Sequence, residues 1–331
     1  MNRDKTLDIV KGIGIFLVVL GHTSDILHDW IYSFHMPLFF MLSGIFHKNG
    51  KNYKEFLKKK IKNIIIPYFI FGILLLLFWF FIGRFFGESA IRKTPLINCL
   101  IGFLYSNEIS GISSMEFAPY IWFLTCLFII QNLFYFILKF KINKKNFIVV
   151  GVVFIIISEI LEIFVKIPLP WNFGRALKDI FFYGIGYFYA DYLKEKICLK
   201  KDLLLGTILF FSNIVVYFLL NNKNYLSEEV MYVIGGVLGS VATIKIFRCM
   251  KSNKILEFLG ENTLVIFAFH GRAGSIIKLL LILLNFNITQ ENIIFDIIIA
   301  NLKIIFCIPL VFIFNKYFSF LIGKNKIKII K

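Results

Sequence analysis

Residues 7–22 read LDIVKGIGIFLVVLGH, an apolar run that carries Asp8, Lys11 and His22. A second run, residues 31–44 (IYSFHMPLFFMLSG), sets His35 just ahead of Pro37. Ionisable side chains at the centre of a membrane helix cost roughly 2.5–3.5 kcal/mol each on insertion scales, and they persist where they face protein or a water-filled cavity. These two runs therefore decide the fold class and the place to look for function. They predict neighbouring membrane helices with reactive side chains turned inward.

The rest of the chain agrees. Its 331 residues are 58% hydrophobic, with 41 Phe and only 17% charged side chains. Apolar runs recur along the whole length, as in a polytopic integral membrane protein and not a soluble domain. The first run reads as a span and not as a cleavable signal, because Asp8 and Lys11 interrupt it and no small-x-small cleavage site follows. At roughly 17–25 residues per helix, segments near 7–25, 31–47, 64–86, 118–138, 147–165, 176–193, 203–220, 229–247, 258–283 and 293–320 are long enough to span. The expected fold is an all-α bundle of about ten transmembrane helices, forming a single domain over residues 1–331.

The formal net charge of +17 does not point to nucleic acid. The basic residues lie in short clusters between apolar runs, as expected of cytoplasmic loops beside anionic headgroups. Alternate connections hold 26 of the 37 Lys and Arg residues, against seven in the other set. The positive-inside rule then places both termini in the cytoplasm. Helix one runs outward and helix two returns, so His22 and His35 should lie at similar depth in the outer half. The longest outer connection, residues 87–117, is long enough to act as a lid or a substrate-contacting loop. The five cysteines are scattered without C-x-x-C or metal-like spacing, and they read as small apolar fillers.

Lys11 and His22 are eleven residues apart, which puts them within roughly 20° of one helix face and about 16 Å apart along the axis. They cannot touch. The spacing suits an extended ligand that is charged at the cytoplasmic end and reactive at the outer end. Histidine suits the reactive end, because an imidazole titrating near neutrality takes and gives protons. His22 or His35 would activate a sugar hydroxyl, while the other orients the acceptor or stabilises the oxyanion. The plainer alternative is that either histidine bridges two helices by a hydrogen bond.

The string Asp8 to His22, with a basic residue followed by ten residues and then histidine, resembles the first helix of the membrane acyltransferase-3 family. Phe34-His35-Met36-Pro37-Leu38-Phe39-Phe40 and the residues to Gly44 are similar to its second helix, especially in the branch related to fucose 4-O-acetylases. Weaker echoes follow in Lys58–Lys62 running to Pro67-Tyr68, Trp122-Phe123-Leu124, residues 181–187, and Leu259-Gly260-Glu261-Asn262-Thr263-Leu264 ending at His270. The resemblance implies a bacterial plasma-membrane enzyme that moves an acyl group, usually acetyl from acetyl-CoA, to a carbohydrate hydroxyl. It implies His22 as the central catalytic residue, with His35 beside it. Many relatives carry Arg where this chain has Lys11, so a phosphate contact here would be a point charge without bidentate geometry.

Together these readings put the coenzyme phosphates near Asp8, Lys11, Lys59, Lys60 and Lys62, although topology alone also explains the lysine cluster. Acceptor contacts are expected from Glu116, Trp122, His270 and Arg272, with the last two facing one cavity. Trp122 also fits an interfacial anchor, and His270 and Arg272 also fit structural hydrogen bonding. The rival reading is a transporter or flippase that moves a glycan or lipid-linked sugar without chemistry. A sensor or scaffold is a third reading, and reactive histidines inside spans argue against it.

Overall fold

The computed structural model describes residues 4–50, 52–195, 199–221, 224–284 and 292–322. Several basic residues used in the topology count, and Cys198, lie outside them. Among the described residues the chain is helical, apart from loops and one isolated bridge between Ile109 and Ser113. In chain order the helices are α1 (Lys5–Gly21), α2 (Asp25–Tyr32), α3 (His35–Ile45), α4 (Tyr53–Lys60), α5 (Ile66–Phe81) and α6 (Gly87–Arg92). Next come α7 (Leu96–Tyr105), α8 (Trp122–Lys139), α9 (Lys144–Phe164), α10 (Phe173–Phe188) and α11 (Ala190–Lys194). The last are α12 (Leu199–Leu220), α13 (Tyr225–Arg248), α14 (Lys254–Glu261), α15 (Thr263–Leu283) and α16 (Ile293–Tyr317).

Among the described residues, seven helical stretches are long and apolar enough to cross a membrane: Tyr53–Phe85, α8, α9, Lys200–Leu220, α13, α15 and α16. The protein is a multi-pass membrane protein. Three of the expected spans are shorter helices: α1 with 17 residues, α3 with 11 and α10 with 16. The breaks have local causes. Ser24 caps α2 by accepting a hydrogen bond from the Leu27 amide at 3.2 Å, so the expected loop after His22 folds into a further helix. Pro37 lacks a backbone N–H and is tolerated only in a first turn, which fixes the start of α3 at His35.

Close contacts divide the chain into two compact units, Met1–His47 with Phe182–Val311, and Lys48–Phe181 with Phe312–Lys331. In the first, Leu7, Val10, Leu38, Met41, Leu42, Ile45, Leu193 and Ile244 form one buried apolar cluster. Two glycines let α1 and α14 touch backbone to backbone. A Cβ on Gly12 would lie 2.0 Å from the Leu256 carbonyl oxygen, and one on Gly260 would lie 1.8 Å from that of Asp8. The Leu259-Gly260-Glu261-Asn262 string thus docks on α1. Asn262 then ends α14, its side-chain amide donating to the Phe258 carbonyl at 2.8 Å, and α15 begins at Thr263. That junction positions His270.

In the second unit, Tyr68 donates to the Phe103 carbonyl at 2.5 Å, tying α5 to α7. A π-helical turn, Ile61–Ile65, precedes Pro67, the residue that cannot donate to the turn before it. Residues 87–117 are more ordered than an open flap. They contain α6, α7 and a tight turn at Gly111 (φ 74°), and the Ser114 amide donates to the Asn98 carbonyl at 2.9 Å.

Candidate active site

α1 ends at a cluster of histidines. His22 follows its last residue, and its side chain is half-buried. Around the ring stand Tyr32 from α2, His35 at the first position of α3, and His270 from the middle of α15. The His22 and His35 ring centroids are 6.3 Å apart, and the His22 and His270 rings stack at 5.2 Å. The Tyr32 hydroxyl is hydrogen-bonded to His22 Nδ1, and its ring lies 4.6 Å from that of His35. His35 and His270 are buried, while Tyr32 and His22 are partly open.

Backbone carbonyls settle two tautomers. His35 Nδ1–H donates to the Ile31 carbonyl at 2.9 Å. His270 Nδ1–H donates to the carbonyls of Phe267 at 2.8 Å and Ile266 at 3.2 Å. A carbonyl only accepts, so both Nδ1 atoms carry the proton, and each neutral ring presents Nε2 as an acceptor. The His22–Tyr32 bond leaves His22 free of that restriction, since a phenol both donates and accepts.

Lys303 of α16 completes the surroundings. Its ammonium donates to the His22 carbonyl at 3.0 Å and to Thr23 Oγ1 at 2.8 Å. Thr23 Oγ1 in turn donates to the Val19 carbonyl at 2.6 Å. A cation at a helix C-terminus is favoured by the helix dipole, and this one holds the peptide that carries His22. Farther out on α2, His28 stacks on Tyr32 at 3.8 Å and pairs with Asp29 at 2.8 Å.

At the other end of α1, Lys11 Nζ lies 3.4 Å from Asp8 Oδ1 and 4.2 Å from the centre of the Phe46 ring. Asp8 is buried and Lys11 half-buried. Asp8 thus holds Lys11, and as a carboxylate it opposes phosphate instead of recruiting it.

The remaining expected site residues fall elsewhere. Arg272 lies two residues beyond His270, hence about 200° around the same helix, and is half-buried. The pair does not share one helix face. Lys59 and Lys62 are exposed, and Lys60 covers the Phe56 ring at 4.9 Å. These lysines belong to the second unit, as do Glu116 and Trp122. Glu116 accepts from Thr94 Oγ1 at 2.9 Å, and the Trp122 ring carries the Arg175 guanidinium at 4.3 Å.

Tyr32, Thr23 and Lys303 were not singled out from sequence. Lys303 was detectable in principle, as an ionisable residue within an apolar span. Tyr32 was not, because a tyrosine near a helix end is commonplace.

No solved structure matches the chain. Nodulation protein NolL of Sinorhizobium fredii (strain NBRC 101917 / NGR234) is 48% identical over a stretch covering 13% of this chain and 15% of NolL. The chain therefore spans only about 15% of the length of that curated relative. The family model described as an acyltransferase domain matches residues 4–314, nearly the whole described chain and every residue of the histidine cluster. The protein belongs to this acyltransferase-3 family.

Proposed function

We propose that the protein is a membrane O-acyltransferase that moves an acetyl group from cytoplasmic acetyl-CoA to a hydroxyl of a cell-envelope carbohydrate. The observation that carries this reading is the convergence of His22, His35, His270 and Tyr32 from four helices around one half-buried imidazole. A transport pathway needs polar groups along its length, whereas three imidazoles gathered at one point suit proton transfer.

In the proposed step, His22 Nε2 removes the proton of the acceptor hydroxyl as its oxygen attacks the thioester carbonyl. The new C–O bond forms, the C–S bond breaks, and the proton passes to the departing thiolate. For Nε2 to act as a base, Nδ1 must hold its proton, so the Tyr32 oxygen accepts from Nδ1 and the Tyr32 O–H stays available as a donor. His35 and His270, with Nδ1 committed to carbonyls, offer Nε2 acceptors that orient hydroxyls. Neither neutral ring can donate to an oxyanion from Nε2. Lys11 is the proposed contact for the coenzyme phosphates, with the exposed Lys59 and Lys62 as further cationic surface.

The test is transfer of labelled acetyl from acetyl-CoA to envelope glycans by the purified protein in nanodiscs. Wild type should transfer and His22→Ala should not, with acetyl-CoA still bound. A glycan moved across vesicles without modification would establish the transport reading instead.

A further inference from the structure

The second unit carries a half-open cleft of about 340 Å³ that the histidine chemistry does not use. Small-molecule sites typically span about 300–1,000 Å³. Its walls come from residues near Asn107 and from residues 161–175, two segments tied together by four hydrogen bonds. Tyr105 Oη donates to the Pro168 carbonyl at 2.9 Å, and Trp171 Nε1 donates to that of Leu104 at 2.9 Å. Asn172 Nδ2 donates to the Ser106 carbonyl at 2.6 Å, and Asn107 Nδ2 to that of Leu169 at 3.4 Å. To make these bonds, Trp171 and Asn172 both adopt the left-handed backbone, with φ of 56° and 57°. Asparagine tolerates that region, but a bulky tryptophan does so only under strain, which is concentrated at binding sites.

The polar lining is Asn107, Glu162, Lys166, Asn172 and Arg175. The Arg175 guanidinium lies over the Trp122 ring at 4.3 Å, with Nε 3.6 Å from buried Asp179, and its side chain remains 42% exposed. The two asparagine amides hold the wall, their Nδ2 groups donating to loop carbonyls and Asn107 Oδ1 accepting from the Glu108 amide at 2.9 Å, while the Arg175 guanidinium supplies donors suited to adjacent hydroxyls. Both signs of charge line the wall, because Glu162 faces the same space as Lys166 and Arg175. A carboxylate there disfavours a phosphate group and suits a neutral, hydroxyl-rich ligand. Sequence reading places both wall segments in outer connections.

We infer that this cleft is a subsite for a neutral saccharide, the glycan that accepts the acyl group. The inference rests on the carbohydrate-acyltransferase reading above and names the part of the chain that selects the acceptor. Two of the four tryptophans, Trp122 and Trp171, flank the site, so intrinsic fluorescence reports occupancy without any turnover.

The experiment titrates full-length protein in nanodiscs with maltotriose, diacetylchitobiose and methyl fucoside, up to the millimolar range where weak complexes saturate. At least one sugar should give a saturable change. That change should vanish in Arg175→Ala, weaken in the exposed-rim variant Lys166→Ala, and persist in His22→Ala. In transfer assays Arg175→Ala should raise the acceptor KM about tenfold with kcat unchanged, a loss of about 1.4 kcal/mol in binding. Thermal unfolding identifies a variant that has merely failed to fold, and Lys166→Ala then carries the test. No response to any of the sugars, or a response unaltered in both variants, overturns the subsite. Transfer that survives His22→Ala while the Arg175-dependent response stands would sink the catalytic reading and leave the saccharide site. Transfer lost in His22→Ala with acceptor KM unmoved in Arg175→Ala would do the reverse.

Discussion

The two ends of α1 handle charge in an apolar helix in opposite ways. At one end, Asp8 and Lys11 are one turn apart and lie 3.4 Å from each other, with Phe46 against the ammonium. That arrangement needs little beyond the helix itself. At the other end, the groups around His22 arrive from α2, α3, α15 and α16, and the cluster exists only when those helices are assembled. The difference teaches what each end is suited for. A local pair holds one charge in place for a ligand, whereas a convergent cluster brings reactive atoms together only in the folded protein.

The largest effect should come from the convergent end. His22→Ala removes the proposed base, and kcat should fall by about 10²–10⁴, the usual range for general base catalysis. The KM for acetyl-CoA should stay where it was. A variant that keeps kcat and loses acetyl-CoA affinity would reverse the assignment of the two ends.

Next in size is the crossing that fixes α1 against α14. Gly260→Ala would drive a methyl group into the Asp8 carbonyl oxygen, and neither backbone can move without separating the helices. Overpacking of this kind costs about 1–3 kcal/mol, seen as a lower unfolding temperature in nanodiscs. Because Gly260 lies just before the helix that bears His270, transfer activity should fall with it. An unchanged melting temperature would mean that the ends of α1 are ordered by something other than this contact.

The two ends also differ in how readily sequence exposes them. Asp8, Lys11, His22 and His35 stand out because an ionisable side chain in an apolar run is expensive and therefore conspicuous. The break between α2 and α3 is less visible, since Pro37 and the Ser24 cap are short signals inside a run of spanning length. Tyr32 has no compositional mark at all. The saccharide cleft is the least legible feature. Its hydrogen bonds join residues 62 to 67 positions apart, and nothing in the letter W announces that Trp171 takes a positive φ. Helical periodicity covers one turn at a time, so it sees α1 and misses loops that meet only in space.

Lys11→Ala should be the mirror image of the histidine variant. Losing one charge-assisted phosphate contact should raise the acetyl-CoA KM about tenfold, or about 1.4 kcal/mol, with kcat held. Lys11→Arg should restore affinity, since it keeps the charge and adds a second donor edge. Tyr32→Phe comes next and keeps the ring stacked on His28 and tilted against His35. It removes only the oxygen that pairs with His22 Nδ1, so kcat should fall roughly three- to tenfold, within the worth of one hydrogen bond, about 0.5–1.5 kcal/mol. Both KM values should stay fixed, and the pH profile of kcat should move. A Tyr32→Phe enzyme with an unshifted profile would leave the phenol no part in setting the His22 tautomer.

The smallest effect tests how far charge organises the local end. Asp4 caps α1, accepting from the Thr6 amide at 3.0 Å and hydroxyl at 2.7 Å, and faces the Arg248 guanidinium at 3.5 Å. Burial alone would raise its carboxyl, but the Thr6 hydroxyl, the Arg248 charge and the amides of Thr6 and Leu7 outweigh it and hold the group below the ordinary value of 3.8. A carboxyl lowered in the folded state adds stability that is fully present above its unfolded value and is lost as pH falls through the folded one. Asparagine caps a helix about as well as aspartate, so Asp4→Asn removes the charge and keeps the cap. Melting temperatures of the two proteins should differ at pH 6 and converge as pH falls well below 3.8 and the Asp4 carboxylate takes up its proton, by under about 1 kcal/mol because Asp4 itself is partly exposed. Parallel curves at every pH would show that the N-terminal end of α1 is held by its cap and its glycine crossing alone, and that the charge nearest the helix start contributes nothing to the position of Lys11.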